Sequence, residues 1–366
     1  MLPPFYLPML LLKSTQTPPF FPPCPRDPVP IFATPIVERK PVFRVVGRLK
    51  FRHPSFLRCS EDQSPSMISI DPTELSTPEV QRWLQGMVAP RPIAFASTVD
   101  AQGRPNLSPF SFFNVFSSNP PILVFSPARR VRDNTLKHTL LNCQATGEVV
   151  INAVNYAMVQ QASLASCEYP EGVDEFVKAG FTPLRSVKVR PFRVAEAPAA
   201  AECKVVDIIS LGNEGGAGNM IVCQVVQFHF DERVLDEQGH IDPYKIDLVA
   251  RMGGDWYARA QGDALFEVPK PARKLGIGVD ALPRAIRESF ILTGNDLGML
   301  SNVEALPEDE AVEAYDANPR VREIFEGSAD GLEARELLHR YAAELLSESR
   351  VEEAWKALLC DKLNRL

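Results

Sequence analysis

The sequence predicts a mainly β domain with inserted helices, followed by a helical C-terminal extension and preceded by a disordered segment. Three observations carry this. Short apolar runs separated by Gly, Pro and Asp turn signals recur between residues 93 and 230. Helical spacing replaces them from residue 280 onward. Residues 1–66 hold 14 of the 33 prolines, a density that fixes φ and removes amide donors too often for regular structure. The expected division is a Pro-rich disordered extension over 1–66, a β domain over 67–270 and helices over 271–366.

The first segment carries nine Lys or Arg against four acids, and before Glu61 its acids are Asp27 and Glu38. It reads as a disordered tail, as an organelle transit peptide, or as an upstream extension that the working protein does not need. Met67 followed by ISIDP resembles a natural start and favours the third reading.

In the β domain, IAFASTV (93–99) ends in the turn signal DAQGRP, and PNLSPFSFFNV follows, so the two are expected to pair as a hairpin. ILVFS (122–126), EVVINAV (148–154), ECKVVDIISL (202–211) and MIVCQVVQFHF (220–230) are further strands, the last two flanking the loop GNEGGAGN. Strands at this spacing suggest a barrel or sandwich. Helices are expected near 137–146 and 155–167, followed by a short turn at DEFVKAG. In the tail, Leu282, Ile286 and Phe290 lie four apart, as do Leu337 and Tyr341, while Val351, Trp355, Leu358 and Leu359 share a face. These stripes are expected to pack on the barrel or on each other, with oligomer contact as the alternative.

Charge and composition exclude several functions. The net charge is -7. Residues 1–66 contribute 9 − 4 = +5, which leaves 30 − 42 = -12 for the remainder, an acidic body unsuited to phosphate backbones. No run reaches the roughly 18 apolar residues that span a bilayer. Seven cysteines without a CxxC pair, and five scattered histidines, suggest buried reduced thiols, a cytoplasmic setting and no zinc site. GIGVDA (276–281) follows PKPARK instead of a strand, GNEGGAGN lacks a following Lys-Ser/Thr, and no GxSxG is present.

One constellation coheres. APRPIAFAST places Arg91 between prolines, NLSPFSFFN supplies aromatics and hydroxyls, SNPP restarts the chain, and KHTLLNCQATGEVVIN runs a Lys and a Thr into a helix and then a strand. Free amides at a helix start favour a phosphate, to which Lys137 adds charge and Thr139 a hydroxyl, with Arg129, Arg130 and Arg132 just upstream. Phenylalanines and backbone over 108–114 suit a flat ring. Thr139 reads equally as a plain helix cap, and Phe110, Phe112 and Phe113 equally as core.

The order of these segments from about Pro90 to Asn152 resembles the flavin reductase-like, FMN-binding split-barrel family. The matching residues are Pro90-Arg91-Pro92, Ser97-Thr98, Asp100, Gly103, Asn106, Ser108 through Phe113, Pro120-Pro121, Lys137, Thr139, Asn142 and Gly147-Glu148. EGVDEF, GHID and RMGGDWY extend the likeness over roughly 67–265. His138 departs from the family's usual Asp. The resemblance implies a Greek-key split β-barrel that forms a homodimer and binds FMN. Its cofactor-binding residues would be Arg91, Ser108, Pro109, Phe110, Ser111, Phe112, Phe113, Asn114, Ser126, Lys137, Thr139 and Arg251. Arg91, Lys137 and Thr139 would serve the phosphate, and SPFSFFN would meet the ring mostly through backbone amides. It implies NADH or NADPH as electron donor, no protein general base, and a possible flavin-dependent oxygenase as partner. A non-catalytic FMN-binding module or sensor, and an FMN-dependent oxidase, are the alternative functions.

Overall fold

The structure, a computed structural model, describes residues 67–271 and 275–361; the disordered segment expected over 1–66 lies outside the described residues. Helix α1 (Thr77–Met87) opens with a capping box between Ser76 and Glu79. Strands β1 (Ala94–Val99) and β2 (Pro105–Phe110) form the expected antiparallel hairpin, with Ala96 opposite Ser108. The run PNLSPFSFFNV is two strands, however. β2 stops at Phe110 and β3 (Phe113–Ser118) starts two residues later, pairing with β4 (Pro121–Phe125). Then come α2 (His138–Thr146), β5 (Glu148–Asn152), α3 (Val159–Leu164), α4 (Glu175–Ala179) and the two-residue strands β6 (Pro183–Leu184) and β7 (Arg193–Val194). The long hairpin β8 (Ala199–Ser210) and β9 (Asn219–Phe230) precedes α5 (Pro243–Ile246), β10 (Val249–Arg251) and β11 (Tyr257–Arg259).

Seven of these strands form one antiparallel sheet in the order β2-β1-β5-β8-β9-β4-β3. Its two edge strands are consecutive in sequence, joined only by Ser111 and Phe112. Laid flat, the edges would stand roughly 29 Å apart at about 4.8 Å per strand, whereas this link reaches roughly 11 Å. The sheet must therefore curl until β2 and β3 converge at the link. No ladder hydrogen bonds join β2 to β3 among the described strands.

Period-two alternation explains why β1 is buried at every residue. Ala94 and Ala96 face a core shared with Phe125, Leu140, Val149, Cys203 and Ile221, under α2. Phe95 faces the opposite core with Met158, Phe176 and Phe181, under α3 and α4. Full burial of Phe95 contributes about 1.5–3 kcal/mol. Polar side chains are buried beside these cores too, among them Asn152, whose amide donates to Phe95 O at 3.0 Å, and a network described below.

The tail is helical as expected: α6 (Arg284–Arg287), α7 (Gly294–Ser301), α8 (Asp309–Tyr315), α9 (Pro319–Gly327), α10 (Gly331–Ser347) and α11 (Val351–Cys360). Its stripes pack on each other. Trp355 is the largest member of a core drawn wholly from residues 282–360, and its indole N–H donates to Leu300 O at 2.9 Å. Phe290 is a correction. α6 ends at Arg287, the four-residue spacing lapses, and the ring is fully exposed while Leu282 and Ile286 are buried. Among the described cysteines, Cys143, Cys203, Cys223 and Cys360 are buried and Cys167 is exposed. No helix among the described residues is long and apolar enough to cross a membrane.

Candidate functional site

A cleft of about 380 Å³ joins the two segments that the sequence singled out. One wall is β2 and the link after it, with Ser108, Pro109, Phe110 and Phe112. The opposite end is Arg129, Arg130, Arg132 and Lys137 at the start of α2. α1 supplies a third side through Thr77, Val80, Gln81 and Leu84.

The charged end is built around Glu168. Arg130 Nε reaches Glu168 Oε1 at 2.9 Å, Lys137 Nζ the same oxygen at 3.3 Å, and Arg132 Nη2 the other oxygen at 3.1 Å. Slight burial opposes ionisation, but the bonds from Arg130 and Lys137 outweigh it and hold the carboxyl below its ordinary value. Three cations on one carboxylate leave a net positive end. Arg129 is committed elsewhere, to Asn134 Oδ1 at 2.6 Å. Lys137 is the N-cap residue of α2 and no side chain caps that helix, so its first amides remain as donors.

The neutral wall offers fewer backbone donors than the sequence suggests. Leu107 gives its amide to Glu175 Oε2 at 3.0 Å. Alternation along an edge strand then turns the Ser108 and Phe110 amides toward β1, and Pro109 has none. Ring contacts along SPFSFFN therefore fall to side chains and to the link. Phe110 is half-buried with its ring 5.5 Å from Phe125, while Phe112 is 39% exposed on the cleft wall. Phe113 packs into the core beside Phe110, and Asn114 Oδ1 accepts from the Val115 amide. Ser126 donates its amide to Phe112 O at 2.8 Å, and its buried hydroxyl has no hydrogen-bond partner.

Three residues expected at the cofactor, Arg91 and Thr139 at its phosphate and Arg251 elsewhere, make other contacts. Arg91 is 5% exposed, and its guanidinium donates to Gln85 O at 2.7 Å, Val88 O at 2.6 Å, Met252 O at 2.9 Å and Ser111 Oγ at 3.3 Å. With those donors spent, Arg91 clamps the C-terminal end of α1 to the β2–β3 link. Thr139 is buried at the second position of α2 and donates to Asn106 Oδ1 at 2.8 Å, so it neither caps the helix nor faces the cleft. Arg251 pairs by backbone with Arg91, donates to Gly254 O at 2.8 Å and lies 4.6 Å from the Tyr257 ring centre. His138 lines a separate small pocket with Asp100 and Glu171.

Sequence reasoning missed Glu168, the α1 wall and Gly216. Glu168 lies 31 residues from Lys137, with no local signal. Gly216 had one in GNEGGAGN: it sits at φ 94°, its amide donates to Arg129 O, and a methyl there would meet Thr77 Cγ2 at 2.6 Å. That loop is therefore part of the cleft rim.

Residues 87–245 match the family described as flavin reductase like domain. An uncharacterized protein of Aquifex aeolicus is 35% identical over 183 residues, half of this chain and 91% of its own length. The chain belongs to the flavin reductase-like family. A second uncharacterized protein, from Deinococcus radiodurans, is 35% identical over 190 residues, 50% of this chain and 82% of that one. Among solved structures, nitrilotriacetate monooxygenase component B from Bacillus cereus is 29% identical with a TM-score of 0.53, covering 56% of this chain and all of that one. The family match stops before the helical tail.

Proposed function

We propose that this protein binds FMN in the cleft and acts as a flavin reductase drawing on NADH or NADPH. The observation that supports this best is the joining, in one cleft, of an aromatic wall to a cationic helix start. The volume is in the range of small-molecule sites. Lys137, Arg130 and Arg132 suit a phosphate, which would compete with Glu168 for the same donors. Phe110, Phe112, Pro109 and Leu84 suit a flat apolar ring. Bound there, the flavin would supply the redox chemistry, accepting a hydride from the nicotinamide. The chain's own part is binding, orientation and partial exclusion of water, and no general base is called for.

Purified protein with added FMN is expected to consume NADH or NADPH, followed by loss of nicotinamide absorbance. Failure to consume either would contradict the reductase reading. The proposed fold is a Greek-key split barrel, to which the curl between β2 and β3 lends support. A homodimer is proposed on a further observation. α1 buries none of its residues, and Trp83, Met87, Val115 and Phe116 are exposed. A second copy of this chain is the proposed cover, and a monomer mass in sedimentation equilibrium would contradict it. A flavin-dependent oxygenase is proposed as the consumer of reduced flavin, because the similar Bacillus cereus protein is a monooxygenase component.

A further inference from the structure

A buried polar network lies behind the cleft and joins its two ends. Glu175, the first residue of α4, is 4% exposed. Its Oε2 accepts from the Leu107 amide at 3.0 Å and its Oε1 from Asn106 Nδ2 at 3.1 Å. Asn106 Oδ1 in turn accepts from Thr139 Oγ1 at 2.8 Å and lies 3.4 Å from Thr98 Oγ1, which accepts from Asn142 Nδ2 at 3.0 Å. All five side chains are buried. Leu107 immediately precedes the wall residues Ser108–Phe110. Thr139 lies two residues after Lys137.

We infer that Glu175 is a positioning residue that sets the spacing between the aromatic wall and the cationic end of the cleft, through Asn106 and Thr139. This rests on the proposed binding of FMN there. Hydrogen-bond direction makes the requirement specific. With its carbonyl accepting from Thr139, Asn106 turns its amide group to Glu175 as a donor. The Leu107 amide is a second donor to the same side chain. Only a group that accepts at both atoms satisfies the two, which a carboxylate does and an amide does not. α4 holds that carboxylate in place because Asp174, the neighbouring acid, caps the helix through the Phe176 amide at 2.8 Å. A surface role is excluded by the burial, and a purely core-filling role leaves the chain of directed bonds to Thr139 unexplained.

The test compares FMN with riboflavin, which has the ring but no phosphate, by quenching of flavin fluorescence. A spacing device affects the preference for FMN, whereas general loosening weakens both ligands alike. Glu175→Gln places an amide donor against Asn106 and is expected to lower the preference for FMN roughly tenfold while riboflavin binding changes little. The double substitution Glu175→Gln with Asn106→Asp reverses one bond and remakes the chain. The introduced glutamine accepts from Leu107 and donates to the introduced aspartate, which still accepts from Thr139. It is expected to recover most of the preference. Should Glu175→Gln not fold, Thr139→Val breaks the same chain at its other end and is expected to lower the preference similarly. A wild-type preference that persists in Glu175→Gln or, where that variant does not fold, in Thr139→Val, or a double variant no better than the single one, overturns the positioning role. Wild-type protein without any preference for FMN sinks the proposed function along with it.

Discussion

Lys137→Glu is expected to weaken FMN binding by about a hundredfold, measured by fluorescence titration at low salt. Lys137 is the cation closest in sequence to the free amides of α2, and it shares Glu168 with Arg130. The substitution removes a charge-assisted donor and sets a second carboxylate against Glu168 and the incoming phosphate. Stability is expected to change little. A carboxylate at a helix start interacts favourably with the helix dipole, which offsets its repulsion from Glu168. Riboflavin, lacking the phosphate, is expected to bind the variant and the wild type alike. An FMN affinity within about twofold of wild type would show that the phosphate does not lie at this end.

Arg91→Ala is expected to cost about 3 kcal/mol of stability and to lower the melting temperature by roughly 6–12 °C. The size follows from what the guanidinium holds. Three backbone carbonyls, from Gln85, Val88 and Met252, lose a buried charged donor at once, and Ser111 loses its partner. Burial, helped by the nearby Arg251 charge, pushes the Arg91 pKa below its ordinary value. α1 is especially exposed to the loss, since none of its residues is buried and Arg91 grips its C-terminal carbonyls. Arg91→Lys is expected to recover only part of the loss, because a single ammonium cannot reach acceptors on three elements. A melting temperature within about 2 °C of wild type for Arg91→Ala would contradict the clamp.

The parts legible in the sequence were those governed by local rules. DAQGRP between two apolar runs marked the β1–β2 hairpin, and the Gly-rich octet between the long strands marked β8–β9. The meeting of the Ser108 segment with Lys137 was legible only through the order of the segments. What stayed hidden depends on contacts made at long range. Nothing near Arg91 announces that its acceptors are carbonyls at residues 85, 88 and 252, because a carbonyl has no residue type. Thr139 looked like a cap. The cap is Lys137, two residues earlier, and this places Thr139 inside the helix with its hydroxyl on Asn106. Asp174 and Glu175 read as one polar turn, yet one caps α4 and the other is buried. Phe290 obeyed the helical spacing in a stretch where the helix had already ended.

In the proposed function, the cleft between β2 and the start of α2 holds a flavin by both its ring and its phosphate. Calorimetric titration of the wild-type protein with FMN and with riboflavin, each at low and high salt, tests it most directly. FMN is expected to bind more tightly than riboflavin by about tenfold or more at low salt, and added salt is expected to narrow the gap by screening the phosphate. Equal affinities, or a difference indifferent to salt, would contradict it.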